Sequence, residues 1–143
     1  MAKLKALPSA ELTIRLREAG LKPTRQRLAL GALLFAGADR HVTSESLFDE
    51  AQAAGAGVSL ATVYNTLHQF RDAGLLREVK LDSERRWFDT NAGAHHHFFV
   101  EETGALIDIP EHEVEVSQLP PPPRGYAIEG VDVVVRLKSR KRV

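Results

Sequence analysis

The chain has 143 residues, 43% of them apolar, with 19 basic and 19 acidic side chains and no cysteine. That length suits one domain or two small ones, and the composition excludes wholesale disorder. The missing cysteines exclude disulfides, a CxxC redox centre, a thiolate zinc knuckle and a cysteine-ligated haem. No apolar run is long enough for a transmembrane helix, and the first residues lack the apolar stretch of a secretory signal. The expected location is the cytoplasm.

In chain order, Ser9 can cap a helix reaching about Ala19, with Leu12, Leu16 and Ala19 on one side and Gly20 ending it. Pro23-Thr24 opens a second helix with Leu30, Leu33 and Leu34 inward, stopped by Gly37. His41 falls in the following loop. Thr43 or Ser44 starts a third helix carrying Leu47, Phe48 and Ala51, with Gly55 after it. Ser59 caps a fourth, whose Leu60, Val63, Leu67 and Phe70 form an apolar stripe closed by Gly74. The period then changes: LLREVKL and RRWFDT read as two strands joined at Asp82-Ser83-Glu84. Two helices, a short turn and a hairpin make a winged helix-turn-helix.

Residues 59–73 are then the recognition helix, presenting Ala61, Thr62, Tyr64, Asn65, His68 and Gln69. That face is polar, uncharged and suited to base-edge hydrogen bonds. Arg15, Arg17, Lys22, Arg25 and Arg27 bunch within 13 positions. Such bunching meets a phosphate backbone, although a solvated helix face has the same look. Arg15 and Arg25 are the candidate phosphate contacts there, and Arg85 and Arg86 those of the wing.

Residues 95–101 and 105–109 read as a hairpin around Thr103-Gly104. A short helix follows over about 111–117, then the stiff spacer Pro120–Pro123. Residues 126–137 are strand-like, dense in β-branched side chains from Val131 to Val135, and Lys138–Arg142 is a basic tail. The expected class is α+β: a winged-helix domain over 1–88, a hinge over 89–94, and a small α/β dimerisation domain over 95–143. About 50 residues make a weak core, which pairing with a second copy would relieve.

The zero net charge is uneven. Residues 1–88 carry 13 basic and 10 acidic groups, a net of +3, whereas 89–123 carry seven acidic groups, no Lys or Arg, and His95, His96, His97 and His112. In a strand, His95 and His97 point one way and His96 the other. With His41, Asp89 and Asp108 they offer three imidazoles and two carboxylates, a set suited to Fe²⁺, Mn²⁺ or Zn²⁺. Each alone has an ordinary reading, as a loop histidine, a strand end or a solvated edge. A metallohydrolase is the rival from another class. It lacks HExxH and an evident spare carboxylate as general base, so the expectation is that the chain is not an enzyme.

The stretches LREAGLKPTRQRLAL, HVTSESLF, VSLATVYNTLHQFRDAGLL, RRWFDTN and HHHFF…TGALIDI resemble the ferric uptake regulator (Fur) superfamily over about residues 10–137. The resemblance implies a homodimeric metalloregulator that binds palindromic A·T-rich operator DNA, with a regulatory cation on His41, Asp89, His95, His97 and Asp108. Two aspartates at the acidic positions resemble the peroxide-sensing PerR branch. Val100 and Thr103 stand where most members carry a CxxC pair, so the structural zinc on four cysteines is expected to be absent. An auxiliary site is also expected to be missing, since its last histidine falls near Val131, although His96 and Glu115 match parts of it. The cysteine-free chain with His95-His96-His97 resembles the iron response regulator (Irr) branch. That branch implies haem as the iron signal, with His95, His96 and His97 as candidate ligands.

Overall fold

A computed structural model describes residues 9–81, 85–93 and 96–140. The chain divides into two compact units, Met1–Ala92 and Gly93–Val143. No described helix is long and apolar enough to cross a membrane.

The first unit contains four helices: α1 (Ser9–Glu18), α2 (Arg25–Leu34), α3 (Ser44–Ala53) and α4 (Leu60–Asp72). Local chemistry sets the starts of α2, α3 and α4. Thr24 accepts a bond from the Arg27 N–H, Thr43 and Ser46 form a reciprocal capping box, and Ser59 accepts from the Thr62 N–H. At the end of α4, Gly74 has φ +81°. This left-handed residue lets the Leu75 N–H reach back to the Phe70 carbonyl at 2.9 Å.

The apolar faces of the helices meet in one core around Leu12, Leu16, Leu30, Leu47, Leu67 and Phe70. Phe88 joins them from a three-stranded sheet of order β1-β3-β2: β1 (His41–Val42), β2 (Arg77–Lys80) and β3 (Arg86–Asp89), antiparallel throughout. Two expectations are corrected here. His41 lies in a strand, not a loop, because buried Val42 pairs with Phe88 and carries its neighbour into the ladder. Leu60 is 42% exposed, since the first turn of α4 projects past the core. The expected turn at Asp82-Ser83-Glu84 lies outside the described residues.

The second unit is a sheet of order β5-β4-β6: β4 (His96–Val100), β5 (Ala105–Ile109) and β6 (Val134–Leu137). β4 and β5 form the expected hairpin, turned at Gly104 with φ +71°. β6 runs parallel to β4, so the chain crosses over through residues 110–133. The helix expected over 111–117 is only a 3₁₀ turn, Glu111–Glu113. In its EHEVEV run, β-branched Val114 and Val116 and the like charges of Glu111 and Glu115 one turn apart work against a longer helix. The strand expected over 126–137 is confined to Val134–Leu137, where β4 supplies a hydrogen-bonding partner. The fold class is α+β.

Candidate functional site

Each unit carries one imidazole–carboxylate pair on neighbouring strands. In the first, β1–β3 pairing sets His41 opposite Asp89, and His41 Nε2 lies 3.0 Å from Asp89 Oδ2. Asp89 is fully buried, and a buried carboxylate persists only when its oxygens are satisfied. Its Oδ1 accepts the Asn91 N–H at 2.9 Å. The ladder continues past the pair: the Arg40 N–H donates to Thr90 Oγ1 at 2.8 Å and the Thr90 N–H to the Arg40 carbonyl at 3.0 Å. Arg40 is held in turn by Glu50 on α3.

In the second unit, β4–β5 pairing sets His97 opposite Asp108. His97 Nε2 lies 3.3 Å from Asp108 Oδ1, and His97 is 1% exposed. His96 is also buried, with its Nδ1 accepting the Val133 N–H at 3.0 Å. His95 lies outside the described residues.

The donor set fits a first-row divalent cation. Ligands about 2.1 Å from such an ion lie roughly 3 Å from each other along a coordination edge. Both pairs have that spacing, with one nitrogen and one oxygen each.

The exposed face of α4 presents Leu60, Ala61, Tyr64 and Asn65. Thr62 is half-buried, and its Oγ1 accepts the Ser59 hydroxyl at 3.0 Å, so it serves the helix start. Gln69 faces outward, but Arg27 donates Nε and Nη2 to its Oε1 at 3.2 and 3.0 Å. Its acceptor is therefore engaged, and a bidentate adenine contact through it would displace Arg27.

Within the arginine bunch, Arg25 donates both terminal nitrogens to the Ala56 carbonyl at 3.3 Å. Arg15 lies 4.3 Å over the Phe35 ring. On the wing, Arg85 and Arg86 are exposed, and Arg86 Nε lies 3.6 Å from Glu78 Oε1. A cleft of about 610 Å³ lies between α4, the start of α3 and the wing, lined by Thr43, Ser44, Tyr64, Arg85, Arg86 and Trp87 among others. Sequence reasoning missed Trp87 and the α3 residues. The capping signal at Thr43 marked a helix start but not what it faces.

His68 corrects another expectation. It is half-buried rather than fully presented like Tyr64 and Asn65. Its ring lies 4.3 Å from that of Tyr64 and meets Phe88 edge-on at 5.4 Å. Its Nε2 is buried with no hydrogen-bond partner among the described residues. Burial and the Arg71 charge hold the imidazole below its usual protonation range, Arg86 adds to this, and Glu78 and Asp72 oppose it.

The ferric uptake regulator family matches residues 18–135. The ferric uptake regulation protein of Pseudomonas aeruginosa is 32% identical over 128 residues, 88% of this chain and 96% of that one. The peroxide-responsive repressor PerR of Staphylococcus epidermidis is 31% identical over 105 residues, covering 73% and 69%. The solved structure of the P. aeruginosa ferric uptake regulator with manganese superposes with a TM-score of 0.71 at 31% identity, over 91% of this chain and 98% of that one.

Proposed function

This chain belongs to the ferric uptake regulator family, and from that premise we infer that it works in the cytoplasm as a homodimeric, cation-dependent repressor on palindromic A·T-rich operators. One observation carries the reading: two strand-paired His–Asp couples, one in each unit, with the spacing of adjacent cation ligands. His41, Asp89, His97 and Asp108, joined by His95, would hold one Fe²⁺ or Mn²⁺, with Zn²⁺ as a substitute in vitro. When bound, the cation would supply positive charge beside the two carboxylates, each of which has an imidazole opposite it. The manganese held by the P. aeruginosa relative supports this choice. Tyr64 and Asn65 would read base edges, while Arg85 and Arg86 grip phosphates. Both carboxylates of the pairs are engaged by imidazoles, so neither is obviously spare as the general base a hydrolase would need.

The finer reading is the Irr branch, with haem as the iron signal. Its support is the uninterrupted His95-His96-His97 run in a chain without cysteine. Haem taken by His96 Nδ1 would displace the Val133 N–H, and haem taken by His97 Nε2 would displace the Asp108 contact. The PerR-like reading needs no such opening, and its support is the pair of aspartates and the PerR relative. Footprinting on genomic DNA with chelated, Mn²⁺-loaded and haem-loaded protein tests all three. Cation-dependent protection supports the main reading, and protection indifferent to Mn²⁺ overturns it. Release by haem selects Irr. Loss of protection only after peroxide treatment of the Fe²⁺ form selects the peroxide sensor.

A further inference from the structure

His68 has no duty in base reading, phosphate binding or the His–Asp pairs, yet its ring sits where the base-reading helix meets the strand that ends in Asp89. Its ring is 4.3 Å from Tyr64 on the same helix and meets Phe88 edge-on at 5.4 Å. Phe88 precedes Asp89 in β3 and pairs with Val42, the neighbour of His41. Burying Nε2 without a partner costs stability, so a better-suited apolar residue would be expected if packing were the only requirement.

We propose that His68 is a positioning residue for operator recognition, a neutral wedge between Tyr64 and Phe88 that holds the tyrosine in its base-reading pose and ties that pose to β3. This rests on the DNA-binding reading above. Imidazole suits the role because its small flat ring lies tilted at 56° against Tyr64 while meeting Phe88 in a T-shaped contact. Protonation would weaken the wedge. The charged groups around it are Arg71 and Asp72 on its own helix, Glu78 on β2 and Arg86 on β3. The two arginines oppose a second positive charge, so the neutral form prevails at neutral pH and gives way on acidification.

The test measures affinity for two duplexes in Mn²⁺: one selected by the wild-type protein from random-sequence DNA, and a shuffled duplex of the same composition. His68→Ala should lower the selected-to-shuffled affinity ratio roughly 3- to 10-fold, the range of one lost aromatic contact. Its shuffled-duplex affinity and salt slope should stay unchanged. His68→Phe, which keeps both ring contacts, should retain the ratio and lose the wild type's acid-side decline in it. A His68→Ala ratio equal to wild type overturns the positioning role. So does a His68→Phe ratio as low as that of His68→Ala, and an unaltered acid decline in His68→Phe overturns the neutral-wedge account. A wild type without any sequence preference instead brings down the DNA-binding reading itself.

Discussion

Tyr64 is the largest exposed side chain on the outer face of α4, 43% accessible and lining the cleft beside the wing. Tyr64→Ala should therefore cost roughly 1–3 kcal/mol of discrimination between operator and other DNA. Arg85→Ala should instead weaken binding to every sequence and flatten the salt slope by about one unit. Competition binding at several salt concentrations separates the two, and exchanged effects would show that the wrong side chain has been placed in the groove. His68 makes a second prediction, on stability. The fold lowers its pKa from the ordinary 6.5, so the folded chain prefers it neutral. The stabilisation is complete above about pH 6.5 and is lost as pH falls through the depressed folded value. Denaturant unfolding of the first unit should show wild type losing stability relative to His68→Phe on acidification below pH 6.5. A difference that stays constant with pH would contradict the assignment.

At the scale of elements, α1 and α2 cross at Gly31. A Cβ there would lie 2.9 Å from Leu12 Cδ1 and 3.1 Å from Cδ2, and Leu12, 1% exposed, would have to shift against its core neighbours. Gly31→Ala gains about 1 kcal/mol of helix propensity but overpacks at a cost of about 1–3 kcal/mol. The expected net loss is about 1 kcal/mol by thermal unfolding, and a raised melting temperature would contradict it. Four helices and the β4–β5 hairpin were legible in the sequence because caps, glycines and period all agree there. The ends of the chain were less so. The 111–117 and 126–133 segments carry β-branched and apolar residues without a partner element to use them, and pattern alone does not reveal which strand finds a neighbour. The members of the His–Asp pairs were readable as types. That His41 stands opposite Asp89 was not, because a two-residue strand leaves almost no periodicity.

For the whole molecule, the second unit buries Leu106 and Ile109 but leaves Tyr126 75%, Ile128 49% and Leu119 48% exposed. That is much apolar surface for so small a unit, and it agrees with pairing to a second copy. Val100 and Thr103 offer no thiolates, so the dimer should not depend on zinc. Sedimentation in EDTA should still give a folded dimer, and Ile128→Glu should split it. Monomers or unfolding on chelation alone would contradict this.

The inferred site would have one cation take ligands from both units, and the Mn²⁺ binding isotherm of the full chain is its decisive check. Wild type should bind one Mn²⁺ per chain, and His41→Ala and His97→Ala should each abolish that same event. Two independent binding events, each lost only with the variant in its own unit, would rule out a shared site.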